Sequence, residues 1–344
     1  MFKKILLILP VLFLLCTTLI FTSCQREKEP PEKLSLTAIS RSPLYAPLFI
    51  AESQGFFTNE RLAVAINTIS SNAELIDALN TRETDIILAG PQNTITQEKT
   101  REDRLVNFAQ LIQKDPSYLL AREAQPDFQW QDLNKKIVIG AVTNSTPELV
   151  LEYLLLKHGL PPFRKVDIIH NIPPETALGA FMGGVGDYIH LLEPQVSYLE
   201  KSQKGFIVAA VGDHIGEIAY TNFIALDTFL QAKPQAVQKF VNALYQGQLW
   251  CKYHTPAEIY QALLPYFPDL DKEILQRMIV HYKNQDIWTD TPVIKEPAFQ
   301  KIREILRKSG LSTAEIDFTG IVNNTFAQKT VEEVPIPKEY TKKD

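Results

Sequence analysis

Polar and aromatic side chains follow several predicted strands of this 344-residue chain, at the point where each strand ends. Tyr45 comes in the first turn after one strand, Gln92 and Asn93 follow another, and Glu193 ends a third. In an open parallel sheet, ligands bind beyond the carboxyl ends of the strands. Tyr45 could stack on a ligand or donate a hydrogen bond to it, the two amides offer fixed donors and acceptors, and the Glu193 carboxylate suits an amine or another cationic donor. The alternative for each residue is a role in the core, in a turn or in a helix cap.

Two predicted helices begin with a hydroxyl residue followed by proline, at Ser42-Pro43 and Thr146-Pro147. Such a hydroxyl accepts an N–H that the helix leaves unpaired, and proline has no N–H to satisfy. A helix N-terminus also carries partial positive charge, so it attracts anionic or carbonyl oxygens. If the two helix starts face each other across a cleft, residues beside them contact a ligand; otherwise they are only caps. These further candidates are Arg41, which could pair with an anion, Ser42, Asn144, Ser145 and Thr146.

The sequence motifs of common enzyme classes are absent. Neither G-x-S-x-G nor G-x-x-x-x-G-K-[ST] occurs, and GGVGD at 183–187 does not satisfy G-x-G-x-x-G. The histidines are scattered without a zinc-binding spacing. Cys251 lies in an apolar predicted helix, where a buried, inert thiol is the ordinary outcome. We therefore expect a protein that binds its ligand without turnover and needs no metal or cofactor.

Residues 1–23 have the order of a secretory signal peptide. Lys3 and Lys4 precede an apolar run, and small polar residues lead into Cys24, the lipid acceptor of a bacterial lipoprotein. Phe21 departs from the usual aliphatic residue of that motif, and an ordinary signal peptide or an uncleaved anchor is the alternative. Residues 24–33 are charged and proline-bearing, which predicts a solvated tether. The expected location is the extracytoplasmic face of the cell membrane, at the cell surface or in a periplasm.

The chain is mildly acidic and rich in apolar residues. Its formal net charge is −5, and 45% of its residues are hydrophobic. The charges are not clustered, which argues against nucleic-acid binding and against a basic membrane-binding patch. With Cys16 in the signal peptide and Cys24 as lipid acceptor, Cys251 has no cysteine partner, so the fold depends on a large core.

Strand-like and helix-like segments alternate over residues 34–211, which predicts βαβ units and a mostly parallel sheet. Two series share one plan, in which a strand leads to a hydroxyl–proline helix start and a later strand opens with Asp85 or Asp187. We interpret these aspartates as turn or cap residues. The shared plan predicts two similar α/β lobes, followed by helices from Asp227 onward. The predicted strands are Leu34–Ser40, Val64–Ile69, Asp85–Ala89, Lys136–Ala141, Val166–Ile169, Tyr188–Leu192 and Phe206–Val211.

The first series resembles the opening lobe of solute-binding proteins of ABC importers, in SRSPLYAPLFIAESQGFF, LAVAINTIS and ELIDALNTRETDIILAGPQNTI. The second series is similar in DLNKKIVIG, TPELVLEYLLLKHGL, FMGGVGDYIHLLEPQVSYLEKSQKGFIVAAVG and YTNFIAL. The group with the greatest similarity serves nitrate, sulfonate, taurine and thiamine-pyrimidine uptake. The resemblance extends from Leu34 to Lys329, and the order of the segments is specific at the level of the family.

The resemblance implies an α/β fold of the two-lobed type II periplasmic-binding-protein class, with a hinged cleft that closes on one small molecule. Lobe 1 would contain residues 34–120 and 222–329, lobe 2 residues 121–221, and residues 330–344 would form a fraying tail. The chain would cross near Tyr118–Ala121 and return near Tyr220–Ile224, which adds Tyr220 to the candidate ligand residues. The implied partners are the permease and ATPase subunits of an importer, with the protein itself a monomer.

The identity of the ligand stays open at this point. Glu193 together with Tyr45 and two amides favours an aminopyrimidine-like thiamine precursor, whereas Arg41 and the helix starts keep sulfonate, taurine or a nitrate-like anion as alternatives. Menaquinone-pathway enzymes and a pyrimidine synthase are built on the same fold, so an enzyme is a second alternative, although predicted export argues against it. A ligand-sensing lipoprotein that serves a receptor is a third.

Overall fold

Ten strands form two separate five-stranded sheets in the computed structural model, which describes residues 30–95, 103–140, 142, 145–311 and 317–341. Residues from Lys33 onward belong to one compact unit. We call each sheet with the helices packed on it a lobe. Within the described residues, no helix combines the length and the apolar character that a bilayer crossing requires.

The first sheet has the strand order β2-β1-β3-β10-β4. β1 and β3 run parallel, and β10 runs antiparallel to both of its neighbours, β3 and β4. The carboxyl ends of β1, β3 and β4 therefore lie at the same edge as the start of β10. The strands are β1 Glu32–Ala38, β2 Leu62–Thr68, β3 Ile86–Ala89, β4 Leu105–Ile112 and β10 Thr221–Leu226.

The second sheet has the order β7-β6-β8-β5-β9 and the same layout. β6 runs parallel to β7 and β8, and β5 runs antiparallel to β8 and β9. Each lobe thus has a parallel set of strands and one reversed strand, which makes both sheets mixed. The strands are β5 Tyr118–Ala121, β6 Ile137–Ile139, β7 Asp167–Ile169, β8 Tyr188–Leu191 and β9 Phe206–Ala210.

Helices cover the faces of both sheets. Residues before Asp227 supply α1 Ala46–Ser53, α2 Phe56–Asn59, α3 Asn72–Asn80, α4 Gln92–Ile95, α5 Thr146–Lys157, α6 Pro174–Met182, α7 Gln195–Lys201 and α8 Val211–Ile215. The later helices are α9 Asp227–Ala232, α10 Pro234–Tyr253, α11 Pro256–Leu263, α12 Lys272–Asn284, α13 Glu296–Lys308, α14 Phe318–Ile321, α15 Thr325–Glu333 and α16 Lys338–Thr341. Short 3-10 helices occur at Pro43–Tyr45, Trp130–Leu133 and Leu264–Tyr266.

The long helix α10 fills the core of the first lobe. Its Phe240 ring contacts the rings of Phe57, Phe108 and Phe223, so it joins a helix and two strands of the first lobe. Burying side chains of this size contributes about 1.5–3 kcal/mol each. Gly247 allows α10 to lie close to α1, because a Cβ atom at that position would be 2.2 Å from the carbonyl oxygen of Pro47.

The aspartates that open two predicted strands are structural, as the sequence indicated. Asp85 Oδ2 accepts hydrogen bonds from the backbone N–H and the hydroxyl of Ser35, at 2.8 and 3.0 Å. Asp187 Oδ2 accepts one from the backbone N–H of Ile137 at 2.8 Å. In both lobes, the aspartate ties the start of one strand to the neighbouring strand.

The two connections between the sheets differ from the predicted crossings by several residues. The chain leaves β4 and enters β5 through residues 113–117, and it returns through residues 211–220. The prediction that lobe 1 extends to residue 120 is wrong, because Tyr118–Ala121 pairs with β8 and β9 in the second sheet. Thr221, predicted for lobe 2, pairs with Ile112 in the first sheet.

Two predictions about the C-terminal region also need correction. Helix α13, placed in lobe 1 by the sequence, packs instead in the core of the second lobe through Phe299, Ile302 and Ile305. The tail predicted over 330–344 is helical at Lys338–Thr341, and the ring of Tyr340 stacks on Tyr253 with centroids 5.0 Å apart.

Candidate functional site

Tyrosines from both lobes meet where the carboxyl edges of the two sheets face the connecting segments. Tyr45 precedes α1, Tyr220 precedes β10, and Tyr282 belongs to α12. Burial raises the pKa of Tyr45 to about 12, although a hydrogen bond from the Ser40 side chain lowers it. Burial also raises the pKa of Tyr220 and of Tyr282. Charge on Asp115 raises the pKa of Tyr220 further, charge on Glu193 raises that of Tyr282 further, and both phenols are also close enough to Tyr45 to be coupled to it. The three phenols are therefore close together and stay un-ionised at neutral pH. We call this region, with Tyr118 from β5, the tyrosine site.

Glu193 lies beside the tyrosine site, but both oxygens of its carboxylate already accept hydrogen bonds within the protein. Burial and charge on Glu193 both raise the pKa of Tyr118, so the two are neighbours. Ser197 donates its backbone N–H to Glu193 Oε2 and its hydroxyl to Oε1, each at 3.0 Å. His281 Nδ1 lies 2.5 Å from Oε1. The carboxylate is therefore satisfied by its own helix start and by a residue of the first lobe.

His281 joins the two lobes at this point. It projects from α12 of the first lobe, and its Nε2 lies 3.0 Å from Glu200 Oε2 on α7 of the second lobe. Burial lowers the pKa of His281, but hydrogen bonds and charge from Glu193 and Glu200 outweigh burial and raise the pKa to about 9. A second contact joins the same helices, since Lys201 Nζ lies 3.1 Å from Glu273 Oε2. An imidazolium held between two carboxylates thus bridges the lobes at neutral pH.

A second buried carboxylate lies on the connecting segment. Asp115 is fully buried, and its Oδ1 accepts hydrogen bonds from the backbone N–H of Ser117, at 2.9 Å, and from the Ser117 hydroxyl. His190 Nε2 lies 2.6 Å from the Ser117 hydroxyl oxygen. Asp115 Oδ2 and His190 Nδ1 have no hydrogen-bond partner among the described residues. Charge on Asp115 adds to the raised pKa of Tyr220, which places it beside the tyrosine site.

The predicted site residues divide into three groups. Tyr45, Glu193 and Tyr220 are brought together at the tyrosine site. Ser42 belongs to the same neighbourhood because its hydroxyl accepts from Leu44 N–H at 3.2 Å and it hydrogen-bonds with Tyr282.

Arg41 does not reach the tyrosine site. Its Nε donates to the Tyr266 carbonyl oxygen at 3.1 Å, and its guanidinium lies over the rings of Phe49 and Tyr266, 5.2 and 5.5 Å from their centroids. The guanidinium is thus used on the surface of the first lobe, and the predicted pairing with an anion lacks structural support.

The remaining candidates lie at the starts of two helices or outside the described residues. Asn93 Nδ2 donates to the Gly90 carbonyl oxygen at 3.2 Å, and it follows Gln92 in the short helix α4. Ser145 caps α5 by accepting from the Glu148 N–H, and Thr146 is the first residue of that helix. Asn144 and Cys24 fall outside the described residues.

Residues that the sequence did not single out make up half of the site. Tyr282 and His281 lie on a helix of the C-terminal region, and nothing in their local sequence shows that α12 faces the second lobe. Asp115 and Ser117 lie in the connection between β4 and β5, and β4 itself was not predicted. The short spacing of Asp115 and Ser117 in a segment between two apolar runs is the one signal that could have indicated them.

Three further features of the described residues could bear on binding or chemistry. A polar cavity of about 240 Å³ lies against Tyr282 and is also lined by Gln113, Gln248 and Lys283. In the second lobe, Glu148, Glu152 and His170 form a group whose ligand atoms lie within 4.8 Å of one another and could hold a metal ion. The buried Cys251 thiol has a pKa raised by burial, which leaves it protonated and unreactive.

Comparison with known proteins defines the family. The profile of the NMT1/THI5-like family matches residues 42–258. A Bacillus subtilis protein named "Putative binding protein YtlA" is 35% identical over 312 residues, which cover 90% of this chain and 93% of that protein. The 4-amino-5-hydroxymethyl-2-methylpyrimidine phosphate synthase of Schizosaccharomyces pombe is 21% identical over 248 residues, 70% of each chain.

Solved structures share the fold. The sulphonate-binding protein SsuA of Escherichia coli has a TM-score of 0.68 at 16% identity, covering 85% of this chain and 97% of that one. The nitrate-binding protein NrtA of Synechocystis has a TM-score of 0.70 at 14% identity, covering 90% and 91%. Both the resemblance and the fold class predicted from the sequence are confirmed. The chain therefore belongs to the NMT1/THI5-like family, and its two-lobed fold is that of the solute-binding proteins of ABC importers.

Proposed function

We propose that this protein captures a small molecule between its lobes outside the cytoplasm and delivers it to the permease of an ABC importer. The observation that carries this proposal is the tyrosine site, where phenols and carboxylates from both lobes meet beside the two connecting segments. The non-helical parts of the two connections, residues 113–117 and 216–220, suit a hinge, because such segments can absorb the backbone change on closure. A ligand held by both lobes would stabilise the closed form that a permease recognises.

The preferred ligand class is an aminopyrimidine-like thiamine precursor. Phenol rings offer stacking surfaces, and carboxylates accept hydrogen bonds from the amino group of a heteroaromatic ring. Among the described residues named at the site, the cationic group is His281, and Glu193 and Glu200 already use it. Sulfonate, taurine or nitrate needs a cationic or N–H-rich pocket, and these anions rank next because a helix N-terminus such as that of α5 carries partial positive charge.

The N-terminal sequence supports the proposed location. A signal peptide over residues 1–23 and a lipid on Cys24 would attach the protein to the outer face of the membrane through the tether 24–33. The partners would be permease and ATPase subunits, and the protein would act as a monomer. The Bacillus subtilis relative, named as a binding protein, supports the binding role.

An enzyme on the same fold is the second candidate, since one relative is a pyrimidine synthase. The buried pair of Ser117 and His190 is the observation that could support an enzyme, because a serine beside a histidine occurs in catalytic triads. In a catalytic triad the carboxylate orients the histidine, whereas here Asp115 bonds to Ser117 and leaves His190 Nδ1 without a partner among the described residues. In this arrangement the carboxylate does not orient His190, so the Ser117 hydroxyl is not activated as a nucleophile. Binding therefore remains the better proposal. A sensor that serves a receptor would use the same site, and a permease gene beside this one would distinguish the importer.

The test is calorimetric titration of the purified protein with 4-amino-5-hydroxymethyl-2-methylpyrimidine, taurine and nitrate in parallel. We expect the pyrimidine to bind most tightly, and Tyr45→Ala to weaken binding by about 1–3 kcal/mol through loss of ring stacking. Arg41→Gln is the matched control and should not change affinity, because the Arg41 guanidinium stacks on Phe49 and Tyr266. Tight binding of an anion that depends on Arg41 would refute the proposed ligand class.

A further inference from the structure

The two buried carboxylates near the tyrosine site differ in how many of their oxygen atoms are used. Both oxygens of Glu193 accept hydrogen bonds, from Ser197 and from His281. Asp115 uses Oδ1 alone, and its Oδ2 has no partner among the residues that the structure describes. A buried charged oxygen without a partner costs free energy unless another molecule supplies a donor. Asp115 is thus the carboxylate that is available to a solute.

The hydrogen bonds around Asp115 also fix the state of His190. The Ser117 hydroxyl has one proton and donates it to Asp115, so its oxygen must accept the hydrogen bond from His190 Nε2. Complete burial lowers the pKa of His190 to about 3, so the ring is neutral. A neutral ring protonated at Nε2 presents Nδ1 as an acceptor. The cluster therefore offers two acceptor atoms, Asp115 Oδ2 and His190 Nδ1, and neither one has a partner in the described part of the chain.

We propose that Asp115 Oδ2 accepts an N–H hydrogen bond from the bound solute, with Ser117 holding the other carboxylate oxygen in place. This inference rests on the proposed function and narrows it. Because Asp115 Oδ2 and His190 Nδ1 are both acceptors, they favour a solute rich in N–H donors. Such solutes include an amino-substituted heteroaromatic ring, an amidine or a protonated amine. Sulfonate and nitrate would bring acceptors against acceptors, which makes the site unfavourable for them. Asp115 therefore takes the role that the sequence assigned to Glu193.

The pKa of Asp115 agrees with a carboxylate that lacks a cation. Burial raises it to about 6, although the hydroxyl and N–H of Ser117 lower it. The titratable neighbours are His190, which is neutral, and Tyr220, whose raised pKa also keeps it neutral. At neutral pH the ligand-free protein thus holds one uncompensated charge at this position.

The decisive variant is Asp115→Asn, which keeps the shape and an oxygen that Ser117 can bond but removes the charge and replaces one oxygen with an N–H donor. Titration with 4-amino-5-hydroxymethyl-2-methylpyrimidine should show a 10- to 150-fold loss of affinity, as expected for a hydrogen bond to a charged group. Asp227→Asn is the matched control and should leave affinity unchanged, because Asp227 follows the far end of β10 and pairs there with Arg104. Unchanged affinity of Asp115→Asn for the pyrimidine would overturn the inference and leave the proposed function intact.

Stability without any solute gives an independent result. If the charge of Asp115 is reserved for a solute, Asp115→Asn should unfold at a higher temperature than wild type at pH 7. The gain should disappear below about pH 4, since the group's folded pKa of about 6 lies above its unfolded value of about 4 and its protonated form is then populated in both states. A lower unfolding temperature for the variant at pH 7 would show that the charge is structural and would overturn the inference. Failure of wild type to bind any of the three solutes would instead refute the proposed function.

Discussion

Replacement of His281 tests whether its imidazolium holds the two lobes together. The ring lies between Glu193 and Glu200, with nitrogen–oxygen distances of 2.5 and 3.0 Å. His281→Gln keeps a polar side chain of similar reach but removes the positive charge. Glu193 retains its two hydrogen bonds from Ser197 in the variant. The substitution therefore isolates the charge between the lobes from the local fold around Glu193.

The expected magnitude follows from the pKa of His281. Hydrogen bonds and charge from the two glutamates outweigh burial and raise it from 6.5 to about 9, and 1.36 kcal/mol per unit gives about 3 kcal/mol. Because the folded pKa is raised, this stabilisation is fully present below the unfolded pKa and is lost as pH rises through about 9. His281→Gln should thus cost about 3 kcal/mol at pH 6 and almost nothing at pH 10.

Urea unfolding of both proteins between pH 6 and pH 10 measures this difference, and NMR titration of the His281 ring measures its pKa directly. His254→Gln is the control, because His254 stacks on Trp250 within the first lobe. Small-angle scattering should also show a larger radius for ligand-free His281→Gln at pH 6, since one of the contacts between α7 and α12 is lost. A difference in unfolding free energy that stays constant across this pH range would refute the reasoning.

Three other predictions concern the anchor, the chemistry and the packing. Cys24→Ser should move the protein from the membrane fraction to the soluble or secreted fraction, and recovery of salt-washed wild type in the soluble fraction would contradict lipidation. Solute incubated with stoichiometric protein should be recovered unchanged by mass spectrometry, and a product that disappears in Asp115→Asn would indicate an enzyme. Gly247→Ala should lower the unfolding free energy by about 1–3 kcal/mol, because its Cβ would lie 2.2 Å from the Pro47 carbonyl oxygen. Gly179→Ala, at an exposed position of α6, gives the comparison for a glycine with open space around it and without a left-handed backbone.

Local sequence signals predicted the features that depend on local interactions. Hydroxyl–proline pairs marked the starts of the helical turns after β1 and β6. Ser42 caps the first as predicted, whereas Ser145, one residue before the predicted Thr146, caps the second. Asp85 and Asp187 tie neighbouring strands together at equivalent places. These interactions involve residues whose types and spacing are visible in the sequence. The alternation of strands and helices followed from the same kind of information.

Assignments that depend on distant packing were less accurate. The apolar spacing of Ile302, Ile305 and Leu306 correctly indicated a helix, but such spacing does not state which sheet the helix covers, and α13 covers the second. Strand β4 is buried along its whole length, so it lacks the alternation that identifies a half-exposed strand. Its position between β10 and the helices of the first lobe is a property of the fold as a whole.

The contrast between Glu193 and Asp115 shows why residue chemistry alone favoured Glu193 over Asp115, the acceptor that we propose. Both are carboxylates beside apolar strands, and the sequence favoured Glu193 because it stands at the end of a strand in front of a proline. The two differ in how many of their oxygens accept hydrogen bonds within the protein. Both Glu193 oxygens do, from Ser197 and from His281, which is 88 residues away in the chain. That distant partner converts Glu193 from a candidate acceptor into a contact between lobes. Ser117 donates hydrogen bonds to Oδ1 of Asp115 alone, and Oδ2 has no partner among the described residues. Tertiary contacts therefore determine which carboxylate oxygen remains for a solute.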